Sequence, residues 1–503
     1  MDALTHLLLG FSTAFTSTNL SSCFIGVLIG TLIGVLPGIG PVGTMAILLP
    51  ITFSMGPIPA IIMLCGIFYG AQYGGSTTSI LVNIPGEVGS IVTCMDGYQM
   101  AKKGRAGPAL GISAMGSFIG GTLSIVGLML LTPALAKLAI GFGPPELFSL
   151  VILGLMMVST IGRGSVVKSL IMTILGIFIS TIGRESIKGF SRFTLGSFTL
   201  SDGVGLVPVA VGMFGIAELL TNIEEIPEQQ VFKTSLRTLF PNLKDWHDSF
   251  WPMIRGTVVG FFLGILPGAG TVVTTFFSYG LEKRLSKHPE KFGTGVIQGV
   301  AGPETANNAA TSGSMVPLLG LGVPPHVTMA MLLGAFIIHG IQPGPFFITE
   351  HPDIFWSVIA SMYIGNVMLL ILNLPLIGIW VQILKIPYRL LFPLIIIFCY
   401  VGVYSLNNNF YELLIMIFFG FIGYLLRKIE YDAGPFLLAM VLGPMVETSF
   451  CQSMAISQGN IAIFFQRPIS AGLLILVIMI LLICSFLGMK KKKEKLESEN
   501  EDC

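Results

Sequence analysis

Residues Gly26 to Gly40 read GVLIGTLIGVLPGIG, and Gly256 to Gly270 read GTVVGFFLGILPGAG. At this offset of 230 residues seven of fifteen positions are identical: Gly26/Gly256, Gly30/Gly260, Gly34/Gly264, Leu36/Leu266, Pro37/Pro267, Gly38/Gly268 and Gly40/Gly270. Glycines four apart make one helix face smooth enough for a second backbone to approach inside a membrane. The Leu-Pro-Gly that follows ends the regularity. Proline removes a donor and the next glycine is free to take positive φ, so each apolar run divides into two half-helices about an irregular turn. Such a turn survives at membrane depth only where protein covers it or where it lines a wet cavity. A single copy would be explained by helix packing and a kink. Two aligned copies predict broken helices at matching places in two related halves, the arrangement in which secondary transporters place a midplane site.

Composition sets the medium. The chain has 503 residues, 53% hydrophobic and 11% charged, where soluble domains carry about 25% charged residues. Apolar runs long enough to span recur from end to end, which predicts an integral membrane protein without a large soluble domain. A net charge of +1 excludes the clustered basic footprint of nucleic-acid binding. The seven cysteines are scattered, mostly in apolar runs and without a CxxC pair, and are read as small buried hydrophobes. The first ten residues, MDALTHLLLG, lack a basic n-region and predict no removable signal peptide. HExxH, GxSxG and GxxxxGK[ST] do not occur, so no enzyme or ATP-driven pump is indicated.

In chain order, a second broken unit is expected over residues 57–95, where the polar run YGAQYGGSTTS (69–79) and Asn83-Ile-Pro-Gly-Glu87 interrupt apolar sequence. Spans are predicted at 107–131, 144–161, 166–183 and 203–220. After a polar linker, residues 252–278 repeat the first element and 295–341 hold another broken unit. Further spans follow at 354–382, 391–405, 410–426, 432–449 and 468–488. Residues 1–220 form a first repeat, 221–250 a cytoplasmic linker, 251–450 a second repeat, 451–489 a C-terminal transmembrane helix and 490–503 a charged cytoplasmic tail. Lys102, Lys103 and Arg105 mark one cytoplasmic loop; Lys283, Arg284, Lys287 and Lys291 mark another. The linker and the second of these loops are both basic, so the run between them has to enter and leave on one side. That makes it a re-entrant hairpin with Pro267-Gly268 at its tip. The same count inverts one half relative to the other. The loop with Arg184, Lys188 and Arg192 falls on the outside and departs from the rule. The fold class is thus an all-α polytopic membrane protein of about ten to twelve transmembrane helices, in two inverted repeats with re-entrant or broken helices.

Polar residues inside this fold are the candidates for function. Glu304, Asn307, Asn308, Thr311 and Ser312 lie in AGPETANNAATSGSMVP (301–317). The first four share a helix face at spacings of three and four. Burying so many polar groups without compensation costs several kcal/mol, so an internal wet site is the economical reading. The plainer alternative is a satisfied hydrogen-bond network between helices. The first-half counterpart is Tyr73 to Ser79 with Asn83 and Pro85-Gly86. Backbone amides at broken-helix N-termini suit a carboxylate, while unwound carbonyls and side-chain oxygens suit a small cation. No Lys or Arg lies in these segments, so an anion would be held by amides and hydroxyls. Glu87 is as readily structural as functional.

The stretches GVLPGIGP (34–41), YGGSTTSILVNIPGE (73–87), DGYQMAKKGRAGPALGIS (96–113), GILPGAGT (264–271) and AGPETANNAATSGSMVPLLGLGVP (301–324) resemble the large TctA-like transmembrane subunit of the bacterial tripartite tricarboxylate transporter family. The resemblance runs from about residue 20 to 470. It implies a cation-gradient-driven importer in the bacterial inner membrane, with Na+ or H+ as coupling cation and no other cofactor or metal. The implied partners are a periplasmic solute-binding protein, a small four-helix membrane subunit, membrane lipid and a citrate-like di- or tricarboxylate, with a homodimer as an open alternative. The expected substrate contacts are Gly38, Gly40, Thr44, Ser76, Thr77, Asn83, Gly86, Gly268, Gly270, Thr271, Asn307, Asn308, Thr311 and Ser312. Glu304, Asn83 and Asn307 are the expected cation ligands. The chain departs from the family pattern at Pro324-Pro325-His326 and at Val88-Gly89. A channel or assembly scaffold without coupled transport is the alternative function.

Overall fold

The computed structural model describes residues 3–36, 40–161, 165–185, 189–197, 199–224, 239–384 and 388–483. Pro37 and Gly38, residues 225–238 of the expected linker, Lys188 and the 490–503 tail lie outside the described residues. The chain forms α1 (Ala3–Ala14), α2 (Ser17–Val35), α3 (Gly40–Thr52), α4 (Pro57–Val82), α5 (Ile91–Lys102), α6 (Ala106–Ala139), α7 (Pro144–Ile161) and α8 (Val166–Ser180). A small hairpin of β1 (Gly183–Arg184) and β2 (Ser191–Arg192) precedes α9 (Leu206–Ala210) and α10 (Ala217–Glu224). Then follow α11 (Leu243–Ile265), α12 (Gly270–Leu285), α13 (Gln298–Leu321), α14 (Val327–Ile338), α15 (Phe347–Glu350), α16 (Pro352–Asn373) and α17 (Ile377–Ile383). The last are α18 (Tyr388–Asn407), α19 (Phe410–Lys428), α20 (Ala433–Ile456), α21 (Ile463–Gln466) and α22 (Pro468–Ile483). Among the described residues six helices, α2, α4, α6, α16, α19 and α20, are long and apolar enough to cross a membrane. The chain is an all-α polytopic membrane protein.

Two compact units are present, one from Met1–Ile140 and Gly205–Leu425, the other from Gly141–Val204 and Leu426–Cys503. In the first unit the glycine stripes do what their spacing predicts. A methyl group at Gly26, Gly30 or Gly34 of α2 would strike the carbonyl oxygens of Met63, Ile67 or Ala71 of α4. At Gly256, Gly260 and Gly264 of α11 it would strike those of Gly302, Ala306 and Ala310 of α13. The glycines are offset by 230 residues and their partners by 239, so one packing register occurs twice. Contacts that advance together along both helices make each pair parallel. α6 packs on α13, with Gly116 and Gly120 against Thr305, while α16 packs on α4, with Gly365 against Tyr69. Gly120 is therefore a packing glycine as well.

The breaks have identifiable causes. α11 ends at Ile265 and α12 begins at Gly270, with Gly268 at φ 81 and Gly270 at φ 52. Gly40 opens α3 at φ 64. A bidentate pair from Arg255 to Glu282, at 2.8 and 2.6 Å, ties α11 to α12 and makes them an antiparallel hairpin about that turn. At the end of α2 the Thr78 hydroxyl donates to the Val35 carbonyl at 2.7 Å. The break expected within residues 57–95 falls later than the polar run. α4 continues through Tyr73–Ser79, because Ser76 and Ser79 hydroxyls bond the carbonyls one turn back, at 3.2 and 2.9 Å. It stops at Asn83, in the left-handed region at φ 62.

Two basic stretches, within 96–105 and 283–297, share one end of this unit with the start of α11. Lys103 donates to the Thr294 carbonyl at 2.5 Å, and Arg105 pairs with Asp245 at the start of α11. The buried Asp96 carboxylate accepts from the Gly293, Gly295 and Val296 amides at 2.6 to 3.0 Å, and from the Tyr279 hydroxyl at 2.9 Å. In the second unit α8 and α7 pack on α20, with a methyl at Gly176 striking the Phe436 carbonyl.

Gly260→Val is expected to destabilise the first unit by about 1–3 kcal/mol or more, since backbone has to move. Gly280→Ala, inside α12 where a methyl meets nothing within 4 Å, does not destabilise and gains up to about 0.5–1 kcal/mol of helix propensity. Thermal unfolding of the two purified variants checks the difference; equal stability would remove the close helix pairing.

Candidate functional site

α4 and α13 approach one another in opposite directions. Gln72 lies beside Asn307, and Ser76 beside Glu304. At this crossing the chain buries two carboxylates. Glu304, 1% exposed, accepts from the Ser76 hydroxyl of α4 and the Thr93 hydroxyl of α5. Ser113 of α6 lies beside the same carboxylate. Glu87, 5% exposed, sits in the turn after α4. It accepts from the Gly89 amide at 2.7 Å and from Asn307 Nδ2 at 2.9 Å. The Gln72 amide, turned so that both its ends are satisfied, donates to Glu87 at 2.9 and 3.1 Å. All of these donors are neutral. Carboxylates this deep are tolerated because each oxygen is hydrogen-bonded.

The turn that carries Glu87 is fixed by fit. Ser90 and Glu87 form a reciprocal capping box. Gly86 rests on the Gly34 carbonyl and Gly75, so a methyl there has no room. A methyl on Gly89 would lie 2.7 Å from Glu87 Oε1 and 2.9 Å from Thr271 Oγ1, and would strike Asn307 Oδ1. Glu87, Asn307 and Thr271 thus converge on Gly89 from three elements. In the second half the corresponding turn, Gly322 to His326, meets the α11–α12 tip, where the Gly268 amide donates to the Pro325 carbonyl at 2.9 Å. Pro325, though it has no amide hydrogen, keeps the one group this contact needs, its carbonyl.

Asn308 Nδ2 donates to Ser117 of α6 at 2.7 Å and to the Glu304 carbonyl at 3.2 Å, while its Oδ1 is buried without a partner. Thr311 bonds back to the Asn307 carbonyl at 3.4 Å, and Ser312 and Thr77 are buried. Thr44 bonds back to Gly40 at 2.8 Å. Of the residues expected from the sequence, Ser76, Glu304, Asn307 and Thr271 come together, with Asn308 one turn along. Gly86 supports the turn. Asn83 is exposed at the end of α4 and stands apart, Gly40, Thr44, Gly268 and Gly270 belong to the helix breaks, and Gly38 lies outside the described residues. Thr93, Ser113, Gln72, Ser117 and Asn366, which accepts from the Tyr73 hydroxyl at 2.5 Å, were not among the expected contacts. Gln72 alone carried a signal, as an amide inside YGAQYGG. Among the described residues no three of His, Cys, Asp and Glu group to hold a metal ion.

Comparison with known proteins agrees with this architecture. Residues 20–438 match the model of the tripartite tricarboxylate transporter TctA family. An uncharacterized 52.8 kDa protein in the TAR-I ttuC' 3' region of Agrobacterium vitis is 48% identical over 501 residues, covering all of both chains. An uncharacterized protein in the TAR-II ttuC' 3' region of the same organism is 48% identical over 242 residues, which is 48% of this chain and all of that one. No solved structure matches. With more than half of its length matched by the family model and a full-length relative at 48% identity, the chain belongs to the tripartite tricarboxylate transporter TctA family.

Proposed function

We propose that the chain is the translocation subunit of a cation-gradient-driven importer, taking a citrate-like di- or tricarboxylate from a periplasmic binding protein, beside a small four-helix membrane subunit in the bacterial inner membrane. The observation that carries this reading is the buried crossing of α4 and α13, where Glu304 and Glu87 meet only hydroxyls and amides. Ionisable groups placed at such depth are costly and mark ion or substrate paths. Glu304 with the Ser76, Thr93 and Ser113 oxygens supplies hard oxygen ligands for a small cation, Na+ or H+. Asn307, Asn308, Thr271 and the amides opening α12 and α3 offer neutral donors for a carboxylate. Gly38, Gly40, Thr44, Ser76, Thr77, Gly86, Gly268, Gly270, Thr311 and Ser312 shape the path, with Asn83 as an entrance contact.

Two inverted repeats, residues 1–220 and 251–450, are part of the proposal. The register shared by α2–α4 and α11–α13, each parallel within itself and opposed across α4 and α13, supports them. The common end of the 96–105, 239–250 and 283–297 stretches supports a cytoplasmic face there, by the positive-inside rule, and the lysine-rich tail belongs to the same side.

In proteoliposomes, counterflow of the carboxylate bound by the cognate binding protein should depend on an imposed Na+ or H+ gradient. Passive flux indifferent to both gradients would make the chain a channel. Asn307→Ala is expected to lower uptake by about tenfold or more, the worth of a hydrogen bond to a charged group, with membrane insertion intact. Wild-type uptake would remove α13 from the site. Lys287→Cys should react with an impermeant maleimide from the cytoplasmic side, and reaction from the periplasm would contradict the hairpin topology.

A further inference from the structure

The β1–β2 hairpin is the one part of the sequence reading that the positive-inside rule did not accommodate. Its register is Gly183 opposite Arg192 and Arg184 opposite Ser191. Arg192 is used locally: its guanidinium donates to both oxygens of Glu447 on α20, at 2.6 and 3.0 Å, which fastens the hairpin to the second unit. Its apolar residues are not buried. Phe190 is 68% exposed, Phe193 58% and Leu195 94%. Phe193 and Leu195 also hold φ of 54° and 50°, a left-handed conformation that bulky residues rarely adopt. Backbone strain of this kind persists where the surroundings over-determine it.

What surrounds the hairpin follows from α8. This helix has 15 residues, about 22 Å at 1.5 Å per residue, whereas the hydrocarbon layer is about 30 Å thick. Its outer face is apolar and open, with Val167, Ile171, Ile174 and Phe178 exposed. The Phe193 ring packs on Phe178 with centroids 5.3 Å apart, so the hairpin's apolar side chains continue that face past the end of the helix. Arg184, exposed on the other strand, is without a hydrophobic role there.

We propose that the β1–β2 hairpin is a lipid-binding surface: Phe190, Phe193 and Leu195 sit at the boundary of acyl chains and headgroups, and Arg184 meets a lipid phosphate. It completes the hydrophobic height that α8 lacks, as aromatic and arginine anchors do at membrane interfaces. Arg184 and Arg192 then serve headgroup binding and the Glu447 pair rather than topology.

The test uses the full chain in vesicles of phosphatidylethanolamine and phosphatidylglycerol, with Leu195→Trp and Phe190→Trp as separate variants and the native tryptophan signal subtracted. The added emission should be blue-shifted and quenched about twofold or more by lipids brominated near the top of the acyl chain, and Arg184→Ala should reduce the quenching by brominated phosphatidylglycerol relative to phosphatidylcholine. Emission at the wavelength of water-exposed tryptophan, quenched by acrylamide and not by bromolipid, would overturn the proposal. Protection from both quenchers would put protein at this surface and overturn it equally. Native uptake by the two tryptophan variants confirms that each is folded.

Discussion

Inside a membrane, helices gain nothing by hiding apolar surface from one another, so close backbone approach has to supply the attraction. The glycine faces of α2 and α11 meet that requirement against the carbonyl rows of α4 and α13. Because these pairs are so close, α4 and α13 can afford polar inner faces. The breaks then sit at the end of each glycine stripe, where Thr78 closes the first and the Gly268 amide, bonded to Pro325, closes the second. At the second Leu-Pro-Gly the freed Gly268 amide thus finds a partner within the protein.

The two halves share a scaffold and differ in chemistry. At an offset of 239 residues the Glu87–Asn307 contact corresponds to His326 against Phe68, whose rings lie 5.6 Å apart. One locus is therefore built from carboxylates and amides, and its counterpart from an aromatic ring and a histidine. The same comparison maps Glu304 onto Cys65 and Ser76 onto Met315. The helix-pair register occurs twice, and among the described residues the acidic cluster occurs at one of the two places. This asymmetry puts the buried carboxylates at one of two places that share a packing register.

Much of this was legible in the sequence because repetition amplifies weak signals. The Gly26 and Gly256 stripes and the Pro267-Gly268 tip were readable since each has a counterpart. The basic runs at Lys102 and Lys283 placed two loops at one end, where Lys103 and Thr294 meet. The interruption of α4 was read too early, because serine and threonine look like breakers until their hydroxyls bond the preceding turn. Thr93, Ser113 and Ser117 could not be found beforehand. A lone hydroxyl in an apolar helix carries no information about which distant carboxylate it faces. Asn83, a conspicuous amide before Pro-Gly, is the left-handed cap of α4, a conformation that the sequence does not announce.

The central claim is that α4 and α13 cross antiparallel with their polar residues at one depth. It is tested most directly by bridging cysteine pairs with mercury in native membranes, the halves being separated afterwards by a protease site placed within residues 225–238. The account predicts that Gln72→Cys with Asn307→Cys joins the fragments, while Gln72→Cys with Met315→Cys, two turns or about 12 Å further along α13, does not. Bridging of the second pair without the first would contradict it.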